Sequence, residues 1–165
     1  MIEILDKPYT RKSVEYDVGS MYLFTDNTQR TSSPYASSEN VDVNLWYYKK
    51  YKDQTNKPIH YGSLRNPTSA VIRGLNNAYP ISTMSGYGTN WIDSNFELFK
   101  GTIDDEIFQI KKDLPKFEKI KIGNFRIGQG GRFARLPKRH QEYLDVKLLQ
   151  IGIDNTNNKP IIYGK

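Results

Sequence analysis

Apolar positions recur along the chain with two periods, one typical of strands and the other of helices. The run "SMYLFTDN" (Ser20–Asn27) is weakly alternating and aromatic-rich and stops at Asp-Asn, which predicts a buried strand running into a turn. In "GTIDDEIFQIKKDL" (Gly101–Leu114) the isoleucines recur at helical spacing, which predicts a helix with Thr102 as N-cap and Pro115 as its stop. The following "FEKIKIGNF" alternates apolar and charged residues and predicts a strand with one buried face.

Weaker patterns complete the order of elements. A short helix is predicted from about Pro67 to Leu75, and an extended segment follows it. The glycines of "GQGG" (Gly128–Gly131) predict a turn, and the residues after Pro137 predict a helix with Gly152 as its C-terminal cap. Strands and helices in this order predict a single layered α/β domain over residues 1–165, with a central mixed sheet flanked by helices.

The amino-acid composition limits the partners and the kinds of chemistry that we expect. The chain has 24 Lys and Arg against 18 Asp and Glu, a formal net charge of +6 that favours anionic partners. The absence of cysteine excludes disulfides, thiolate metal sites and cysteine catalysis. No apolar run approaches the length that crosses a bilayer, so we expect no membrane partner and a cytoplasmic location. His60 and His140 have no Asp, Glu or His at ligand spacing, so we expect neither a metal nor a cofactor.

The glycine turn is the first candidate site. Gly128, Gln129, Gly130 and Gly131 lie between a predicted strand and a predicted helix, where backbone N–H groups and the helix dipole favour an anion. Arg132 follows directly, and an arginine can hold a phosphate with two parallel hydrogen bonds. Because the Walker and dinucleotide spacings are absent, an ordinary turn with solvated basic side chains remains the alternative. The other basic residues near this turn are Arg126, Arg135, Lys138 and Arg139.

The end of the first predicted strand is the second candidate site. Asp26 and Asn27 lie at its carboxyl end, where open α/β sheets usually bind ligands, and Arg30 follows closely. A base or a ribose could exchange hydrogen bonds with this Asp-Asn pair. The alternative is structural, because Asp-Asn is itself a favoured turn sequence and a loop arginine is often solvated.

The segment "SAVIRGLNNAYPIST" is the third candidate. Ser69 is small enough for close packing against a ligand, and Arg73 and Asn77 are candidate polar contacts. For Asn77 the alternative is a turn that ends the preceding helix.

No residue pattern identifies a catalytic group. The acidic residues of "TIDDE" fall in the first turn of the predicted helix, where they favour the helix dipole. Aromatic and basic residues alternate in "LWYYKKYK", a pattern that also occurs in single-stranded nucleic acid binding, although packing of the tyrosines on the domain is the preferred interpretation. We therefore expect a binding protein, and we expect nucleic acid less than a small molecule as its ligand.

Five stretches resemble the sequence blocks of an uncharacterised domain family of phages and bacteria. They are "LFTDNTQR", "SAVIRGLNNAYPIST", "WIDSNFELFKGTIDDEI", "IGQGGRFARLPKRH" and "EYL". They resemble the family's "FGDN", "RG-x-x-NA-x-G-I-P-T" and "G-x-GTG-x-A-x-LP-x-RAP" blocks, in the same order, over most of residues 20–150. The placement of glycines is also similar to that of macrodomains, which implies a macrodomain-like fold and an ADP-ribose-type ligand.

The chain departs from the family pattern at one of its two glycine loops. About thirty residues, roughly Thr31 to Arg65, stand where the family has a glycine-rich loop after its first arginine, so an insertion is expected at about 31–65. Only the second glycine turn, at Gly128, Gly130 and Gly131, is kept. If the first loop holds a diphosphate in relatives, this chain has lost that contact or rebuilt it.

The resemblance implies a function and leaves a rival. The implied function is binding of a nucleotide-derived phosphate ligand, ADP-ribose-like or a signalling nucleotide, used by a phage to sequester a host defence signal. If the chain is an enzyme, the implied class is an ADP-ribosyl or nucleotide hydrolase. The rival is a structural or interaction protein, such as a virion component with a vestigial pocket, acting as a homo-oligomer or with a phage or host protein. The implied location is accordingly the host cytoplasm during infection, or the virion.

Overall fold

The computed structural model describes residues 1–28, 40–41, 59–60, 69–86, 89–124, 126–128 and 135–156. Its strands are β1 (Ile2–Leu5), β2 (Ser20–Asn27), β3 (Asn40–Val41), β4 (Ile59–His60), β5 (Ala78–Gly86), β6 (Thr89–Asn90) and β7 (Lys119–Gly123). Its α-helices are α1 (Arg11–Tyr16), α2 (Phe96–Asp113) and α3 (Lys138–Leu149). Short 3-10 helices cover Ser69–Ile72, Asp93–Asn95 and Leu114–Lys116.

Five strands form one mixed sheet in the order β1-β7-β2-β5-β6, and β3 pairs antiparallel with β4. The first four of these strands are parallel, whereas β6 runs antiparallel to β5. The predicted α/β architecture with a mixed sheet is confirmed. The insertion predicted at about 31–65 lies outside the described residues, apart from the backbone of β3 and β4.

The central strand β2 is buried on both faces. Met21 and Leu23 belong to a core that also contains apolar side chains of α2 and α3. Tyr22 and Phe24 face the opposite way, into a smaller core with Val14 of α1 and with the Ser69–Ile72 helix. A parallel strand covered on both faces has a nearly continuous apolar run, which is why the sequence pattern predicts its bounds correctly.

Two other predicted elements are confirmed with small changes. In β7, Ile120 and Ile122 are buried and the flanking lysines are half-buried, as expected for a strand with one buried face. Beyond α3, Gly152 has a φ of 87°, its N–H donates to Leu149 O, and the next N–H donates to Leu148 O. These bonds satisfy the last carbonyls of the helix, as a glycine cap does.

The predicted start of the longest helix is wrong. The helix begins at Phe96, and Gly101 lies inside its second turn. Phe99 extends the buried stripe of Ile103 and Ile107 by one more turn, so tertiary packing continues the helix through the glycine. An exposed glycine inside a helix costs only about 1 kcal/mol, less than this packing contributes. The helix predicted from Pro67 to Leu75 is likewise shorter, since the described part is a 3-10 helix over Ser69–Ile72. None of the described helices is both long and apolar enough to span a membrane.

Because α2 begins earlier than predicted, the acidic residues of "TIDDE" lie in its middle, and Glu106 is buried. Its carboxylate accepts hydrogen bonds from Ser82 N, at 2.9 Å, and from Ser82 Oγ, at 2.7 Å. The indole Nε1 of Trp91 donates to Ser82 O at 3.0 Å. The side chains of Glu106 and Trp91 therefore satisfy the backbone N–H and carbonyl of Ser82, which a neighbouring strand would otherwise pair.

Replacing Glu106 by alanine is expected to lower the free energy of unfolding by about 3 kcal/mol. Two buried donors of Ser82 would lose a charged acceptor, and each such loss costs about 1–3 kcal/mol. Urea denaturation followed by circular dichroism measures the change. The control is Asp105→Ala on the exposed face of the same helix, expected within about 0.5 kcal/mol of the parent. Equal losses of stability in the two variants would contradict the role of Glu106 as the acceptor for the two donors of Ser82.

Candidate functional site

The strands β2 and β7 are neighbours in the sheet, and the described elements that follow each of them in the chain pack on opposite faces. After β2 the chain returns to the sheet through the Ser69–Ile72 helix, which packs on the face that carries α1. After β7 the chain leads into α3, which packs on the other face together with α2. In open α/β sheets such a switch in direction leaves a crevice outside the strand ends, and ligands commonly bind there.

The two strands also part before they end. In the described chain, β2 and β7 pair at only three positions, from Ser20–Lys119 to Tyr22–Lys121. β2 instead stays paired with β5 as far as Asn27, and β7 stays paired with β1 as far as Gly123. The carboxyl edge of the sheet is therefore divided between β2 and β7.

The helices α2 and α3 both begin at this edge. Glu106 of α2 meets Ser82 of β5, and Asp113, further along the helix, receives a hydrogen bond from Tyr79 OH, so α2 runs antiparallel to β5. The helices are parallel to each other, because His140 meets Phe99 near their starts and Lys111 meets Gln150 near their ends. The positive ends of both helix dipoles therefore lie at the carboxyl edge.

Asp26 and Arg73, two of the predicted site residues, form a buried ion pair at the end of β2. The guanidinium donates from Nη2 to Asp26 Oδ1 at 2.7 Å and from Nε to Oδ2 at 3.1 Å. Both side chains are almost fully buried, at 1% and 0% exposure. Asp26 Oδ1 also accepts the backbone N–H of Asn27, where the pairing with β5 shifts by one residue. A charge pair of this kind fixes the irregular end of the strand.

The turn that carries Arg73 is held from a second side. Arg11 of α1 donates from Nη1 to the carbonyl oxygens of Val71, at 3.0 Å, and Arg73, at 2.7 Å. The neighbouring Tyr9 packs edge-to-face on Tyr22, with ring centroids 5.8 Å apart. Burial, and then the negative charge of Asp26, raise the pKa of the Tyr9 hydroxyl, so it stays protonated. Tyr9 and Arg11 precede the first predicted element, and no sequence pattern identified them.

Gly128 is buried at the start of the glycine loop and has a φ of 91°. A Cβ placed there would lie 2.4 Å from Gln141 Oε1 and 2.8 Å from Leu136 Cδ1. Its carbonyl accepts the N–H of Leu136 at 3.2 Å, so the described ends of the loop meet. The glycine is therefore required both by its backbone conformation and by close packing.

A buried polar network holds the residue before this glycine. Asn155 accepts the N–H of Ile127 at 2.8 Å and donates to its carbonyl at 2.9 Å. Gln141 donates to the same carbonyl at 3.0 Å. Both amides also donate to Asp145 Oδ1, while Arg126 donates to Asp145 Oδ2. The base of the loop is thus fixed by side chains from α3 and from the segment beyond it.

Sequence reasoning missed Gln141, Asp145 and Asn155. The spacing of Gln141 and Asp145, four residues apart on one helix, is the only local signal for their contact. Asn155 meets Ile127 across 28 residues, which no periodicity predicts.

Asn77 lies at the other end of the sheet from Asp26. It precedes β5, level with the first residues of β2, whereas Asp26 is paired with Ser82. Five residue steps separate these levels, or about 16 Å at about 3.3 Å per residue. The side-chain amide of Asn77 donates to the carbonyls of Val14 and Asp17, both at 2.9 Å, so it ties the end of α1 to the start of β5. The structure therefore does not bring Asn77 together with Asp26.

The remaining predicted site residues cannot be placed. Ser69 is described by its backbone alone, as the first residue of a 3-10 helix. The others lie outside the described residues, namely Arg30, Gln129, Gly130, Gly131 and Arg132. Among the described side chains, no group of three or more His, Asp or Glu residues is arranged to hold a metal ion.

Comparison with known proteins places the chain in a family. The sequence model of one family matches residues 4–145. The chain belongs to this family of unknown function (DUF7831). The expectation of an uncharacterised family is therefore confirmed. No match to a curated protein or to a solved structure was found. The DUF7831 match spans β1 through most of α3, so it includes the carboxyl ends of β2 and β7 and the whole glycine loop.

Replacing Gly128 by alanine is expected to lower the free energy of unfolding by about 2–4 kcal/mol. A non-glycine residue at positive φ costs about 1–3 kcal/mol, and the added methyl must displace Gln141 and Leu136. The matched control is Gly101→Ala in α2, where a Cβ meets nothing within 4 Å. That change is expected to raise stability by about 0.5–1 kcal/mol. Chemical denaturation measures the free energy of unfolding of both variants. Losses of stability of similar size at the two positions would contradict the close packing around Gly128.

Replacing Arg73 by methionine is expected to lower the free energy of unfolding by about 3–5 kcal/mol, because it leaves the Asp26 carboxylate buried without its cation. Arg11→Met is the comparison, since Arg11 donates to uncharged carbonyls, and we expect a loss of about 1–2 kcal/mol. The double variant Asp26→Leu with Arg73→Met should regain part of the stability. A double variant less stable than Arg73→Met would show that the loss of stability comes from lost packing, and not from burying the Asp26 carboxylate without its cation.

Proposed function

We propose that this chain binds a nucleotide-derived phosphate ligand, of the ADP-ribose type or a signalling nucleotide, as a macrodomain-like module. The observation that carries the proposal is the divided carboxyl edge, where β2 and β7 part and the described elements that follow them pack on opposite faces. Asp26 and Asn27, the last residues of β2, lie on one side of this crevice. Gly128, the first residue of the glycine loop, lies on the other side. Asp26, Asn27 and Gly128 are the predicted site residues that support this proposal.

The charges at the start of α3 support an anionic ligand. Lys138 and Arg139 are the first residues of the helix, and the exposed Arg135 precedes them. Among the described residues, no side chain caps this helix and no acidic residue occupies its first turn. Arg139 already pairs with Asp93 at 3.4 Å, and Lys138 lies 4.0 Å from Glu142, both at exposed positions. A cation at the positive end of a helix dipole is unfavourable by about 0.3–1 kcal/mol, and a bound phosphate would offset this cost.

Within the proposed site the side chains have different tasks. Asp26 is engaged by Arg73 and by the backbone of Asn27, so its task is to hold the strand end in place. The phosphate would be met by backbone N–H groups of the glycine loop and by the arginines beside it. We assign no reaction to the site, and sequestration of a nucleotide signal by a phage needs only binding. The rival function, a structural or interaction protein, stays a prediction.

Isothermal titration calorimetry against ADP-ribose, NAD and a panel of cyclic nucleotides tests the proposal. We expect one of these ligands to bind, and we expect Arg132→Ala to weaken that binding about tenfold or more, through loss of a charged hydrogen bond. Lys112→Ala, an exposed lysine near the end of α2, is the charge-matched control and should leave the affinity unchanged. If none of these ligands binds, the proposal is wrong. If Arg132→Ala and Lys112→Ala weaken binding equally, the binding is nonspecific charge attraction.

A further inference from the structure

His140 is buried in the contact between α2 and α3. It is the third residue of α3 and is fully buried, with 0% of its surface exposed. Its ring lies between two phenylalanines of α2, with centroid distances of 5.0 Å to Phe96 and 4.8 Å to Phe99. Neither ring nitrogen makes a hydrogen bond within the described part of the chain. Such an environment accommodates a neutral imidazole.

Charges of both signs lie near the ring. Arg139 comes from α3 itself, and Lys100 of α2 lies 5.8 Å from the centroid of the Phe96 ring. The single carboxylate near the ring, among the described residues, is that of Asp93, which already binds Arg139 Nε at 3.4 Å. The starts of α2 and α3 add the positive ends of two helix dipoles.

The pKa of His140 reflects the same balance. Burial has the largest effect and lowers the pKa below its ordinary value. The charge of Asp93 raises the pKa by less, Arg139 lowers it by less again, and the backbone of Ile92 raises it least. Stacking on phenylalanine attracts a cation by only about 0.5–2 kcal/mol. Among the described groups, the backbone of Ile92 is the one near enough to act as an acceptor, so at least one N–H donor of a buried imidazolium would lack a partner, at a cost of about 1–3 kcal/mol.

We propose that His140 is a proton-sensitive latch: the first turns of α2 and α3 close over the neutral imidazole and separate when the ring takes up a proton from solvent. The protonated ring gains water only by leaving the space between Phe96 and Phe99. An imidazolium is therefore compatible with an opened junction and not with the closed one.

The latch is connected to the glycine loop through the chain beside it. Leu136, four residues before His140, closes the loop with its N–H on Gly128 O. Gln141, the next residue, holds Ile127 O and touches the space above Gly128. Opening of the junction would therefore loosen the contact between Leu136 and Gly128, the described residues on either side of the loop, whether or not a ligand binds there.

Hydrogen exchange read by mass spectrometry, without ligand, tests the latch. The unfolded His pKa is 6.5 and the folded one is lower, so stability of the junction is complete above pH 6.5 and falls as the pH drops below it. Between pH 7.5 and 5.0 we expect exchange in peptides covering 96–103 and 136–143 to rise about tenfold or more, after correction for intrinsic rates. His140→Phe, which preserves the stack, should abolish this rise. His60→Gln, at the other histidine of the chain, should retain it.

An NMR titration of the wild-type imidazoles keeps the test valid if His140→Phe does not fold. The two histidine signals are assigned with His60→Gln, and we expect the His140 signal to titrate below the ordinary pKa of 6.5. A His140 that titrates at 6.5 or above would overturn the latch, as would exchange that does not respond to pH or that responds equally in His140→Phe. None of these readouts depends on a ligand, so the latch and the proposed function can fail separately.

Discussion

At the carboxyl end of β2, the guanidinium of Arg73 donates two hydrogen bonds to the buried carboxylate of Asp26. Either charge buried alone would be costly by several kcal/mol, so the two are buried together or not at all. This condition ties the end of the central strand to the turn that precedes β5. Arg11 binds two carbonyls of the same turn, which places α1 against it. The layer on this face of the sheet therefore depends on one ion pair.

The other face uses the same principle with different chemistry. On the side of β5 away from β2, Glu106 and Trp91 satisfy the backbone of Ser82. Where the chain turns before Gly128, Asn155 and Gln141 satisfy the backbone of Ile127. Both of these backbone segments are matched by buried polar side chains, because a buried N–H or carbonyl without a partner is costly. The divided edge of the sheet is thus a fixed feature of the fold.

A family of unknown function supplies no activity to transfer, so the functional argument rests on the site. The direction switch between β2 and β7, the cations at the start of α3 and the loop at Gly128 converge on one edge of the sheet. His140 lies beneath the same edge, in the contact that positions the end of that loop. Binding and its regulation would therefore share one set of contacts between α2 and α3.

The sequence by itself determined the elements whose pattern is local. The bounds of β2 followed from a weakly alternating, aromatic-rich run that stops at Asp-Asn, the buried face of β7 from alternation, and the end of α3 from Gly152. Tertiary structure decided the rest. The start of α2 depends on Phe99 packing into the core, which outweighs the glycine at position 101. Asp26 and Asn77 looked equivalent as polar residues beside strands, but the parallel register puts them at opposite ends of the sheet. Glu106 changed from a helix-capping acid to a buried acceptor because its partner, Ser82, lies 24 residues away. A local pattern shows which face of a helix or strand is apolar. The partner of a buried polar group depends on the topology of the whole fold, and no short stretch of sequence contains that information.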